Sequence, residues 1–178
     1  MIKIHEVGNL YVTIFGISNI QVKVARTLID KVRHILPKGV LIQATRADSV
    51  YGVDHIINAL KIALESQKRK LLLADKLEVD LLLRIACVDQ ISVALSDIGL
   101  MYYNPACFIL FSTQKRKLLL AAKRIGQCLS HPDNSVLLPN KMKRELISKR
   151  LKLDSNEKLQ SDVAFTNLLS EKAALLNK

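Results

Sequence analysis

The chain has 178 residues, 49% of them apolar and 24% charged, with a formal net charge of +11. That length supports one domain with its own core, the composition excludes a disordered tail, and no run approaches the roughly 18 apolar residues of a membrane span. So much positive charge favours polyanionic partners, because each Lys or Arg set against a phosphate releases a condensed counterion.

Leu10 to Phe15 is rich in strand formers and precedes Gly16 and a Ser-Asn pair. A helical pattern then runs from Ile20 to Leu36, where Pro37-Lys38-Gly39 stops it. Val40 to Ala44 reads as a second strand, and Asp48 or Ser49 is placed to cap the next helix. Within that helix Val53, Ile56, Ile57, Leu60 and Leu64 share one face.

After the basic link Lys68-Arg69-Lys70 comes a short apolar helix. Val79 to Cys87 (VDLLLRIAC) is almost continuously apolar and is expected to be a strand covered on both faces. Asp89 is the expected cap of a helix that buries Ile91, Ala94, Leu95 and Ile98 and stops at Gly99. Asn104-Pro105 makes a turn, Cys107 to Phe111 a strand, and Thr113 starts a helix to about Leu129 with Leu118, Ala121, Ala122 and Ile125 inward. His131 to Asn134 is a loop and Val136 to Leu138 a candidate short strand. A basic helix over Asn140 to Leu151 and a final helix from Ser161, burying Phe165, Leu168, Leu169, Ala173 and Leu176, complete the chain.

Four or five strands interleaved with six or seven helices predict an α/β fold with α+β character, one domain over residues 1–178 with a mixed sheet. Aromatic residues are only 4% and Trp is absent, so the core is aliphatic. The start Met1 to Glu6 lacks the apolar core of a signal peptide, and a soluble cytoplasmic protein is expected. The octapeptide Gln67 to Ala74 recurs as Gln114 to Ala121, but one short copy at that period does not make a solenoid.

Recognisable chemistry is sparse. The six glycines form neither a dinucleotide fingerprint nor a phosphate loop, and no Gly-x-Ser-x-Gly elbow occurs. Cys87, Cys107 and Cys128 are widely spaced, which points to buried thiols rather than a disulfide framework or a zinc site. His5, His34, His55 and His131 have no partner at ligand spacing, so neither a metal nor another cofactor is expected. His55 shares a helix face with Tyr51, Asn58 and Ile62, either as a structural histidine or as a polar group beside a groove. Asp75, Glu78 and Asp80 read as a solvated helix-to-strand turn rather than a magnesium cluster.

Arg84 interrupts the apolar run, and a guanidinium there must either pair with a carboxylate or reach an anionic ligand. Cationic clusters occur at Lys68, Arg69 and Lys70, at Lys115, Arg116 and Lys117, and at Lys123 and Arg124. On the basic helix Lys141, Arg144 and Lys152 share a face with Ser148. Such faces are either simply solvated or track phosphates.

Two stretches are more specific. Ala47-x-x-Val50-x-Gly52-x-x-His55-x-x-x-Ala59-x-x-x-Ala63 is followed by Val79-Asp80-Leu81-Leu82-Leu83-Arg84-Ile85-Ala86 and by Gln90-Ile91-x-x-Ala94-x-x-x-Ile98-Gly99. In order and spacing these resemble the PRPK-binding protein family, the kinase-binding subunit of the KEOPS complex. The tail Leu168 to Leu176 is similar to the last helix of archaeal members. Relatives commonly carry Gly and Arg where this chain has Cys87 and Asp89, and basic residues where it has Val53 and Asp54.

The resemblance implies a subunit without activity of its own that binds and regulates a small atypical protein kinase. Other KEOPS subunits would be met indirectly, and catalysis of threonylcarbamoyladenosine formation would lie elsewhere in the complex. It also implies capture of the 3′ CCA end of transfer RNA, with Arg84 and His55 near the nucleic-acid recess. Lys68, Arg69, Lys70, Lys115, Arg116 and Lys117 are the electrostatic candidates for that RNA. For the kinase face the resemblance favours Gln90, Ile91, Ala94 and Leu95 together with Leu169 and Leu176 on the terminal helix. Two rival readings stay open. One is a small enzyme with Arg84 as anion clamp and His55 as general acid or base. The other is a free-standing RNA-binding protein, although no RNP-type, KH-type or helix-turn-helix signature accompanies it.

Overall fold

The computed structural model describes residues 3–18, 20, 25–128, 132–154 and 161–176. In chain order its elements are β1 (His5–Val7), β2 (Leu10–Ile17), α1 (Ala25–Ile35), β3 (Leu41–Arg46), α2 (Gly52–Lys68), α3 (Leu77–Ala86) and α4 (Ile91–Ile98). There follow β4 (Ala106–Ser112), α5 (Lys115–Cys128), α6 (Lys141–Arg150) and α7 (Asp162–Ala174), with 3-10 turns at Ala47–Ser49 and Asn134–Leu137. The class is α/β. The chain divides into two compact units, Met1–Ala47 with Leu100–Val136, and Asp48–Gly99 with Leu137–Lys178.

The first unit is built on a four-stranded sheet of order β1-β2-β4-β3. Gly8 at φ 58 and Asn9 close the two-residue turn between β1 and β2, where Val7 pairs with Leu10. β4 runs antiparallel to both neighbours, with Ile14 opposite Ile109 on one side and Ile42 opposite Leu110 on the other. The sheet is therefore antiparallel throughout, not mixed. β2, α1 and β3 do read as a crossover between strands of like direction, but β4 inserts between those strands and pairs with each.

Ala106, Phe108 and Leu110 of β4 join Leu28 and Val32 of α1 and Leu118, Ala121 and Ile125 of α5 in one aliphatic core. The inward positions expected of α5 are all buried. Of the helix expected over residues 20–36, residues 21–24 lie outside the described set, as does His131 in the expected loop. The expected strand at Val136 to Leu138 is instead the end of a 3-10 turn.

The second unit is helical. Of the expected face of α2, Ile56, Leu60 and Leu64 are buried and Val53 and Ile57 half-buried, with Ala59 and Ala63 allowing close approach beside them. Gly52 opens α2 at φ +83, and a Cβ there would stand 3.0 Å from Pro139 Cγ, so glycine is needed on both counts. The N-cap of α2 is Tyr51, not Asp48 or Ser49, which lie in the preceding 3-10 turn. The two side chains bond each other, Ser49 Oγ donating to Asp48 Oδ1.

Val79 to Cys87 corrects a sequence expectation. It is helix α3 and the turn that ends it, not a strand, and residues 80–86 are all buried. A continuous apolar run has no period to distinguish a covered strand from an enclosed helix. Residues 71–76 before it are loop rather than the expected short helix. Cys87 terminates α3 in the left-handed conformation, φ 55 and ψ 42, and α4 starts after Gln90 with no side-chain cap, so Asp89 is not its cap. Ser161 caps α7 by accepting from the Ala164 N–H, and α7 buries Phe165, Leu169 and Ala173, with Leu168 and Leu176 half-buried.

Candidate binding surfaces

Helix α3 places Arg84 in the interior, its side chain 2% exposed, one turn from a fully buried Asp80. Nε donates to Asp80 Oδ2 at 2.8 Å, Nη1 to the Ala173 carbonyl at 2.7 Å and Nη2 to Ser66 Oγ at 2.9 Å. Asp80 also accepts the Leu73 N–H at 2.7 Å, so it is no part of a solvated acidic turn. Arg84 thus meets a carboxylate, a helix-end carbonyl and a hydroxyl of its own unit rather than opening onto a recess. It ties α2, α3 and α7 together.

His55, on the first turn of α2, is 1% exposed. Its Nδ1 accepts the Tyr51 N–H at 3.3 Å, which leaves the proton on Nε2, and Nε2 has no hydrogen-bond partner. Burial, with the Arg150 guanidinium second, lowers its pKa to about 3. The imidazole is therefore neutral at physiological pH and turned inward.

Tyr51, just before it, organises a recess. Its hydroxyl donates to Asp162 Oδ1 at 2.5 Å and accepts from Arg144 Nη2 at 2.7 Å. Arg144 pairs with Asp162 and lies over the Tyr51 and Phe165 rings, at 5.4 Å and 5.1 Å from their centroids. Burial, then the Asp162 bond, raises the Tyr51 pKa. The recess has a volume of about 680 Å³ and is lined by Tyr51, Asn140, Lys141, Arg144, Glu145, Ser148, Lys149 and Asp162. Of the face that helical spacing groups, Lys141, Arg144 and Ser148 line the recess, whereas Lys152 follows the end of α6 at φ 52 and does not. Helical spacing does not join Tyr51 and Asp162 to them, because nothing in a linear sequence joins positions 111 residues apart.

The basic clusters are exposed but differ in their surroundings. Lys68 and Arg69 end α2 and both pair with Glu65, at 3.7 Å and 2.8 Å, while Lys70 follows at φ 60. Lys115 and Arg116 are exposed at the start of α5 in the other unit, with Lys117 half-buried, and Lys115 Nζ sits 5.7 Å from the Tyr11 ring.

Helix α4 exposes several apolar side chains of the second unit. Ala94 and Ile98 are fully buried, whereas Ile91, Val93 and Leu95 are 46%, 38% and 56% exposed and Gln90 is open to solvent. The expected inward stripe is thus narrower than the sequence implies, since an eight-residue helix packing on one neighbour covers only one line of its surface. Ala94 and Leu169 are buried and Leu176 half-buried, so of the positions singled out for a kinase, Gln90, Ile91 and Leu95 are the open ones.

Among the described residues no three His, Cys, Asp or Glu side chains are grouped to hold a metal ion, and no helix is long and apolar enough to cross a membrane. No protein-family profile matches the chain, and no curated protein matches it.

Proposed function

We propose that this chain is a non-catalytic adaptor of the KEOPS type, which binds and regulates a small atypical protein kinase and helps recruit transfer RNA by its 3′ CCA end. The observation that carries the reading is the open face of α4. Ile91 and Leu95, one turn apart, expose apolar surface that the unit itself does not cover. An amphipathic helix presented in this way suits the groove of a protein partner.

The turn before α4 supports the same reading. Cys87 stands where relatives carry Gly, and its backbone is left-handed, the conformation that favours glycine. The departure from the family pattern thus changes the residue while keeping a turn of the kind glycine makes. The RNA contribution rests on the net charge of +11 and on the exposed cations of both units, Lys68, Arg69 and Lys70 in one and Lys115 and Arg116 in the other. On this reading Arg84 and His55 shape the scaffold from within, and the work of modification takes place in the cytoplasm.

The test is co-elution of the purified chain with the KEOPS kinase, comparing native protein with Ile91→Asp/Leu95→Asp. Loss of the complex by a variant that remains folded is the expected outcome, and an undiminished complex would overturn the docking face. Titration with transfer RNA, intact or lacking CCA, tests the second half. Binding that ignores trimming would reduce it to general electrostatics.

A further inference from the structure

A recess of about 550 Å³ opens in the first unit between β2 and α5, and neither the kinase-docking nor the RNA reading uses it. The sheet edge explains why it exists. β1 covers β2 only from Leu10 to Val12, the ladder stopping where His5 stands opposite Val12. Further along, residues 132–134 close the edge again. The Gly16 N–H donates to Asn134 Oδ1 at 2.9 Å, the Gly16 carbonyl accepts the Asp133 N–H at 2.9 Å, and Pro132 bridges to Ile17. Between these closures the Lys3 carbonyl accepts the Thr13 hydroxyl at 3.0 Å instead of a backbone N–H of β2. Backbone groups of a paired strand alternate in direction, so the N–H and C=O of Ile14 point to the same side as those of Gly16, where the edge is open.

The lining is apolar below and cationic above. Phe15 and Ile17, on the face of β2 that packs against α5, supply apolar surface, and α5 adds Ala122 and Gly126. Gly126 sits in the last turn of α5, where glycine disfavours the helix, yet neither a left-handed φ nor a close approach calls for it, since a Cβ there would meet nothing within 4 Å. Its missing side chain leaves the recess open. Lys3 and Lys123 are exposed lining residues that make no ion pair among the described residues, and no Asp or Glu lines the recess. With Asn134 Oδ1 taken by Gly16, the N–H groups of that amide remain as donors. Only Thr13 to Phe15 lie open, fewer residues than the roughly 5–6 of an ordinary strand, so the gap suits a small ligand rather than an added strand. Its volume is also within the range of roughly 300–1,000 Å³ usual for small-ligand pockets.

We propose that this recess binds an amphipathic monocarboxylate, its carboxylate met by the Ile14 N–H, the Asn134 amide and the Lys3 and Lys123 ammonium groups, and its apolar chain laid along Phe15 and Ile17 into the space that Gly126 leaves. Fixed N–H donors and cations hold the charged end, and the chain gains by leaving water. The site shares no residue with α4 and does not rest on the proposed kinase or RNA partner.

The test is titration of the full chain with octanoate, octanol and acetate, followed in amide correlation NMR spectra. Octanoate is expected to shift the amides of Ile14, Phe15 and Gly126 saturably and to bind at least about fivefold more tightly than octanol, because charge-assisted hydrogen bonds are the stronger ones. Acetate, which lacks the chain, should leave those amides in place. Gly126→Leu fills the recess from a position where a Cβ is unopposed and exchanges a poor helix former for a good one, so octanoate should bind at least about tenfold more weakly while the circular dichroism spectrum is kept. Lys3→Ala/Lys123→Ala, at two exposed positions, should lower octanoate to the level of octanol. No saturable shift of these amides at millimolar octanoate, octanol or acetate binding as tightly as octanoate, or a folded Gly126→Leu that binds normally would each overturn the proposal.

Discussion

Arg84 and Asp80 form an enclosed ion pair across one turn of α3, Nε to Oδ2 at 2.8 Å, with both side chains removed from water. Two charges taken out of water are stable only while each has its partners, and here the remaining guanidinium donors reach Ala173 and Ser66. Asp80→Ala is therefore expected to destabilise the second unit by about 3–5 kcal/mol, because it leaves a buried cation unpaired. Arg84→Lys should also destabilise it, since an ammonium cannot supply the three-way fork. Urea denaturation followed by circular dichroism measures both, and any loss of RNA binding by these variants must be judged against the unfolding they cause.

His55 makes stability depend on pH. In the unfolded chain it takes a proton near its ordinary value of 6.5, whereas in the fold it does so only at about 3. Between those values the unfolded state binds more protons, so this contribution is complete above about pH 6.5 and declines as pH falls towards 3. The slope is at most about 1.4 kcal/mol per pH unit. Unfolding midpoints measured from pH 7 to pH 4 should show this decline. His55→Gln, which does not titrate and keeps an acceptor for the Tyr51 N–H, should flatten it.

Cys87 holds a left-handed backbone while its thiol lies against the Arg84 and Leu169 carbonyls, and burial pushes that thiol's pKa up to about 11. Cys87→Gly relieves a left-handed cost of about 1 kcal/mol and loses a small buried group, so the net change should stay within about 1 kcal/mol. Cys87→Val places a β-branched residue in the same conformation and should cost about 2 kcal/mol. Thermal unfolding of the two variants side by side separates backbone from packing.

On α4, Ile91→Asp/Leu95→Asp changes exposed positions and should alter global stability by no more than about 0.5 kcal/mol at each. If this face is the kinase contact, affinity should fall by about a hundredfold or more, the usual effect of charging the apolar centre of an interface. Biolayer interferometry against the immobilised kinase gives that ratio directly.

On the longer helices the periodic signal and the structure largely agree, whereas on the eight-residue α4 two of the four expected inward positions, Ile91 and Leu95, are exposed. Ile56, Leu60 and Leu64 on α2, and Leu118, Ala121 and Ile125 on α5, are buried as their spacing demands. Ser161 caps α7 where a helix start was expected. The Gly8-Asn9 hairpin carried a readable turn signal that the expected elements did not include. At the candidate sites, Arg84 and His55 stand out in the sequence, and both prove to be interior residues, which is one of the two readings that each allows.

The α/β class, the aliphatic core and the positive charge follow from composition and periodicity alone, because both act locally and along the chain. Tertiary structure decided what local sequence leaves degenerate. The octapeptide QKRKLLLA shows this most directly. Its first copy ends α2 at Lys68 and continues as turn and loop, with Leu71 58% exposed, while its second copy is helical from Lys115 and buries Leu118 and Ala121. Identical residues have identical propensities, so the difference lies in what stands nearby. The second copy follows β4 and lies against the sheet, which repays the entropy of ordering a helix, and the first bends so that the Leu73 N–H reaches the buried carboxylate of Asp80.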